Sequence, residues 1–207
     1  IVGSGPNATV LHYRRNDRQM LDGDLLLIDA GCEYGYYAAD VTRTFPVNGT
    51  FSPAQRELYE VVLAAQDACI AAVRPGATMD GVHQVAVRVL TEGMVRVGLL
   101  KGDVDAAIES GAYREFYMHR TSHWLGMDVH DVGSTFLNGA PRPFAPGHVL
   151  TIEPGLYVAL DATVDERFRG IGIRIEDDVA VTLDGHENLT TVPKTVADVE
   201  AAVRGAR

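Results

Sequence analysis

The 207-residue sequence predicts one mixed α+β domain, with strands at both ends and helices between them. Three observations predict it. Apolar runs of strand length stand near both ends, as in "DLLLIDAG" and "HVLTIEPGLYV"; capped amphipathic patterns fill the middle; and no repeat, low-complexity tract or linker divides the chain. Composition agrees: 46% of residues are hydrophobic and 22% charged, mean hydropathy is zero, and the length suffices for one sizeable core. A net charge of −10 with no basic cluster argues against a nucleic-acid partner. No apolar stretch reaches the length of a membrane span and the opening residues do not read as a signal peptide, so no membrane partner is expected. Two cysteines, Cys32 and Cys69, make neither a disulfide framework nor a CxxC metal site. A reducing, cytoplasmic compartment is therefore expected.

Taken in order, residues 9–13 ("TVLHY") read as a short strand carrying His12. Asp22-Gly23 marks a turn, and the apolar run after it a buried strand. Ser52, Pro53 and Gln55 form an N-cap, a first-turn proline and a capping box, opening a helix that Pro75-Gly76 stops. Leu58, Val61, Val62, Ala65 and Cys69 lie on its apolar stripe. A second helix starts at the Thr78 cap with Val82, Val85 and Val89 on one face, and a short third covers Val104–Ser110. Extended segments follow, and residues 196–204 close the chain as an amphipathic helix.

The chemistry lies in acids set within apolar runs, where a lone carboxylate is costly. In "LLLIDAGCEYGYYAADVTRTFPV", a hairpin turning at Tyr34-Gly35 puts Asp29 directly opposite Asp40. Opposed Cβ atoms sit roughly 4.5–5.5 Å apart, and a cation between the acids would relieve their repulsion. A longer turn would shift the register and leave both solvated, so the pattern alone does not decide. Downstream, Glu153 in "LTIEPGLY" and Glu176 in "IRIEDD" fall opposite each other in a symmetric pairing across a loop over residues 159–170. Pro154 cannot donate to a ladder and marks a break there. The segment "FYMHRTSHWLGMDVHD" adds His119, His123 and His130, the first two spaced to share a face in helix or strand. Four carboxylates with imidazole suit a pair of divalent ions, carboxylates favouring manganese or magnesium and imidazole admitting manganese, iron, cobalt or zinc. Isolated acids and histidines are more often solvated or hydrogen-bonded, but four acids in apolar strands fit that reading poorly. No nucleophile elbow, Walker loop or dinucleotide fingerprint competes.

These residues together resemble the pita-bread metallopeptidases, and within them the aminopeptidase P subfamily. The motifs are Asp29, then Asp40 in "DVTRTFPVNG", His123 in "SHWLGMDVHDVG", Glu153 in "TIEPGLY" and Glu176 in "GIRIEDD", in family order over nearly the whole chain. The resemblance implies two divalent ions, with manganese the usual activator: Asp29 on one, Asp40 and Glu176 bridging, His123 and Glu153 on the other. It implies attack by a metal-activated hydroxide, with Glu153 as general base. His12, His119 and His130 would line the substrate pocket and stabilise the tetrahedral oxygen, and Arg174 with Tyr157 would orient the ligands. The implied substrate is a peptide with an Xaa-Pro N-terminus.

The same resemblance places further helices, a strand and a separate domain before the segment equivalent to Ile1. Residues 1–207 are thus expected to be the C-terminal, catalytic portion of a longer protein that forms a dimer or tetramer. Apolar helical surfaces are expected to be exposed where upstream parts would pack. A prolidase acting on Xaa-Pro dipeptides is the near alternative. Methionine aminopeptidase and a creatinase-like, metal-independent hydrolase fit less well, and a non-catalytic binding module is disfavoured because all five ligands are intact.

Overall fold

A computed structural model describes residues 1–205. Strand β1 (Val2–Ser4) leads into a 3-10 turn over Gly5–Thr9. Next come β2 (Leu25–Ala30), the two-residue strands β3 (Glu33–Tyr34) and β4 (Tyr37–Ala38), and β5 (Val41–Pro46). Helices α1 (Pro53–Ala72), α2 (Met79–Val97) and α3 (Val104–Ser110) follow. A small hairpin, β6 (Phe136–Leu137) and β7 (Ala140–Pro141), precedes β8 (Val149–Ile152) and β9 (Gly155–Tyr157). The chain ends with β10 (Gly172–Arg174), β11 (Asp177–Val181), β12 (His186–Asn188) and α4 (Val196–Gly205).

The helices begin and end where their caps predict. Gln55 N–H reaches the Ser52 hydroxyl and Gln55 returns its amide oxygen to Ser52 N–H, completing the capping box of α1. Gly98 ends α2 in the left-handed conformation. α1 and α2 pack closely because Gly93 has no side chain: a Cβ there would sit 2.2 Å from Val61 Cγ1. Leu58, Val62, Ala65 and Cys69 on α1 and Val82, Leu90 and Met94 on α2 join Ile152, Leu156, Ile173 and Ile175 from the strands in one core. The apolar stripes of α1 and α2 are therefore covered, contrary to expectation, and the exposed large apolar residues lie outside both helices.

Three antiparallel sheets frame the site, ordered β1-β2-β5, β10-β9 and β12-β11-β8. Thr42 joins the first to the others through a bridge to Glu176.

Two strand expectations need correction. Residues 9–13 are not a strand. Val10 N–H bonds Asn7 O and the Thr9 hydroxyl bonds Pro6 O, so local turns take the groups that a ladder would use. The hairpin between β2 and β5 turns at Gly35-Tyr36, both left-handed (φ 59° and 65°), with Glu33 accepting from Tyr36 N–H. Asp29 therefore faces Thr42, and Glu33 faces Ala38. The slip is two residues, so parity survives and both aspartates keep their side of the sheet. The second register stands as expected. Ile152 pairs with Asp177 on one side and Gly155 with Arg174 on the other, so continuing either ladder brings Glu153 opposite Glu176 in the gap.

Candidate metal centre

Four of the five expected ligands stand where a ladder is interrupted. Asp40 immediately precedes β5, Glu153 immediately follows β8, Glu176 immediately precedes β11, and Asp29 is the penultimate residue of β2. The interruptions have local causes. Gly31 lets the chain pass over itself, since a Cβ there would lie 1.6 Å from Ala39 O. Pro154 offers no N–H. Glu153 N–H turns instead to Thr121 O (2.8 Å) and Glu176 N–H to Thr42 O (3.1 Å). Asp40 N–H is held by the Asp178 carboxylate at 3.1 Å. Backbone groups are thus satisfied away from the ladder, leaving the four side chains free to converge.

The histidine segment is neither helix nor strand around His119 and His123. It runs along β8, with His123 N–H on the Thr151 hydroxyl and Thr151 N–H on His123 O. Thr121 anchors it from below, its hydroxyl bonded to Tyr117 OH at 2.5 Å and to His83 Nδ1 at 2.8 Å.

Of the ten site residues named from the sequence, nine line one cavity of about 360 Å³ and Tyr157 does not. His12 arrives from the turn after the 3-10 segment and His130 from the loop beyond Trp124; both are exposed at the cavity. Among the described residues, ligand atoms of Asp29, Asp40 and Glu176 lie within 4.8 Å of one another, and so do those of His123, Glu153 and Glu176. A third such group joins Asp40, His123 and His130. His123 Nδ1 meets Trp124 O at 2.9 Å, so Nε2 is the nitrogen that faces Asp40 (3.4 Å) and Glu153 (3.7 Å).

Arg174 is the one cation among these nine apart from the histidines. It is 4% exposed and uses three nitrogens: Nη2 on Asp29 Oδ2 (2.5 Å), Nη1 on Tyr157 OH (3.1 Å) and Nε on the Thr42 hydroxyl (3.2 Å). Tyr157 OH also meets His119 Nε2 at 2.9 Å, while His119 Nδ1 meets Arg120 O at 2.7 Å. Both nitrogens of His119 are therefore engaged by the protein, and those of His12 and His130 have no such pair of partners among the described residues.

Four carboxylates against one guanidinium leave an excess of negative charge that protonation or cations must relieve. Burial, with the charges of Asp40 and Asp29 adding and His123 and Arg174 opposing, pushes Glu153 up to about 7. Burial, Glu153 and Asp40 hold Glu176 well above the usual carboxylate range. Burial alone would lower His123, but its bond to Asp40, the Trp124 carbonyl and the Glu153 charge outweigh it and raise its pKa. Burial lowers His119 to about 4, which keeps it neutral. The donor set, oxygen-rich with one imidazole aimed inward and no thiolate, fits divalent ions.

Two residues escaped the sequence reading. Thr42 bonds both Glu176 and Arg174. Asp178 holds Asp40 N–H with one carboxylate oxygen, leaves the other without a hydrogen bond, and is pushed up to about 6 by burial and the neighbouring acids. The run "EDD" was the available signal for Asp178; a threonine in a strand gives none.

Residues 1–183 match metallopeptidase family M24. The chain is 54% identical over its full length to the Xaa-Pro aminopeptidase of Escherichia coli K12, covering 47% of that protein. It is 43% identical to the mitochondrial intermediate cleaving peptidase 55 of Arabidopsis thaliana, with 97% of this chain and 39% of that protein aligned. Among solved structures, the aminopeptidase PepP of Pseudomonas aeruginosa superposes with a TM-score of 0.98 at 56% identity, covering all of this chain and 47% of that one. Zinc-substituted aminopeptidase P of E. coli in complex with product gives 0.96 at 54%, with the same coverage. The chain spans about half the length of the first of these relatives.

Proposed function

The chain belongs to metallopeptidase family M24 and has its pita-bread fold, and we propose that it carries the dinuclear centre of an exopeptidase releasing the N-terminal residue from peptides with proline second. The observation that carries the reading is the pair of ligand triads sharing Glu176, Asp29/Asp40/Glu176 and His123/Glu153/Glu176, within one cavity. Asp29, Asp40, His123, Glu153 and Glu176 are the proposed ligands of two divalent ions, manganese fitting the carboxylate-rich set. Bound there, the ions would supply Lewis acidity and lower the pKa of water.

The chain's own residues divide the remaining work. Glu153, which titrates near neutrality in the bare protein, takes the proton of the attacking water on its carboxylate and passes it towards the leaving proline nitrogen. His12 and His130, exposed at the cavity, hydrogen-bond the peptide and the tetrahedral oxygen. His119, neutral and engaged at both nitrogens, reaches the pocket mainly by holding Tyr157 against Arg174. Arg174 fixes Asp29 by a charge-assisted bond. Residues 1–207 would be the catalytic part of a longer, oligomeric, cytoplasmic protein acting on Xaa-Pro peptides; no helix among the described residues is long and apolar enough to cross a membrane.

A competition digest tests the reading. Manganese-loaded full-length protein is given an Xaa-Pro-Yaa tripeptide, an Xaa-Pro dipeptide and a Met-Ala tripeptide together, and products are read by mass spectrometry. Loss of the proline tripeptide alone, abolished by Glu153→Ala, is expected. Cleavage of only the dipeptide would instead make the protein a prolidase.

A further inference from the structure

We infer that Thr42 is a positioning residue that fixes the orientation of the Glu176 carboxylate in the metal centre and ties that ligand to Arg174. The inference rests on the proposed centre and concerns a side chain outside its ligand set. Thr42 is fully buried, the second residue of β5, between its partner Asp29 on β2 and Glu176, which meets it in a bridge just before β11. Its hydroxyl lies 2.5 Å from Glu176 Oε2 and 3.2 Å from Arg174 Nε.

The proton arrangement follows from the partners. A guanidinium Nε–H can only donate, so the Thr42 oxygen accepts from Arg174. The hydroxyl in turn donates to Glu176 Oε2. Oε1 of Glu176 accepts no protein hydrogen bond among the described residues. Arg174 also bonds Asp29 and Tyr157, so one hydroxyl links Glu176 and Asp29 through a buried chain of four side chains. A valine would fill the same volume and leave Glu176 free to rotate and Arg174 Nε unpaired. A serine would keep the link.

The test is a calorimetric titration of the full-length protein with Mn²⁺ alone, with thermal melts of the metal-free forms alongside. Thr42→Val is expected to weaken binding of the more loosely held ion by about 10–100-fold, while Thr42→Ser stays within about threefold of wild type and both variants fold. A tripeptide assay at saturating Mn²⁺ should show Thr42→Val losing kcat with little change in KM. Wild-type affinity in Thr42→Val, or equal weakening in the valine and serine variants, would overturn the role of the hydroxyl while leaving the centre standing. No binding by the wild-type protein would overturn the centre and this inference together. If Thr42→Val does not fold, Thr42→Cys replaces it: weakened binding supports the role, and wild-type affinity contradicts it.

Discussion

Arg174 serves three partners from a single buried guanidinium, on Asp29, Tyr157 and Thr42. A lysine carries the charge but not the planar fork, so it can hold Asp29 and must abandon the other two. We expect Arg174→Lys to lower kcat/KM on an Xaa-Pro tripeptide by about 10–100-fold, with the melting temperature moving only a few degrees. Glu153 gives a pH-dependent prediction. Its folded pKa of about 7 lies above the ordinary glutamate value, so the native metal-free protein retains a proton that the unfolded chain loses. Stability from this group is present below about pH 4.5 and is lost as pH rises through 7. Metal-free Glu153→Gln lacks that loss and should gain progressively on wild type between pH 5 and 8 in denaturant titrations. A constant difference across that range would contradict the assignment. At this scale the ligands were legible because acids within apolar runs are costly and conspicuous. Thr42 was not, because a β-branched residue in a strand is unremarkable until its hydroxyl partners are known.

The elements show why registers were partly legible. The turn at residues 35–36 was misplaced by one residue because Tyr36 adopts a left-handed conformation that pattern reading reserves for glycine. The error cost nothing in face, since a shift of two residues preserves it. The pairing across residues 159–170, judged from symmetry alone, came out correct, and Pro154 marked its interruption. The loop carrying His119 and His123 has neither helical nor strand period, so spacing could not place it; its order comes from Thr121 and Thr151. Gly31 is the most demanding backbone position in the site. Gly31→Ala drives a Cβ into Ala39 O and should displace Asp40 from Asp29, losing manganese binding and activity together. Gly93→Val, far from the cavity, overpacks α1 against α2 and should cost about 1–3 kcal/mol in denaturant unfolding while leaving metal affinity unchanged.

Across the whole molecule, the core of α1, α2 and the central strands is closed, while the outer side of β1-β2-β5 is not. Met20, Leu26, Ile28, Phe45 and Val203 line an apolar groove of about 360 Å³ there, the chain spanning only about half the length of its curated relatives. The overall acidity, −10 on 207 residues, culminates in the cavity, where four carboxylates gather. A protein built this way should be stabilised by the ions it binds, because ligands that bind only the native state raise its stability by mass action. Chelation should lower the melting temperature, and manganese at about 100 times its Kd should restore about 2.7 kcal/mol. The most direct test of the central claim is the metal count. Equilibrium dialysis of the full-length protein against Mn²⁺, read by elemental analysis, should give two ions per chain in the wild type, and fewer than two in Glu176→Ala, which removes the ligand common to both triads. Binding of no ion or one by the wild type, or two undiminished in Glu176→Ala, would contradict it.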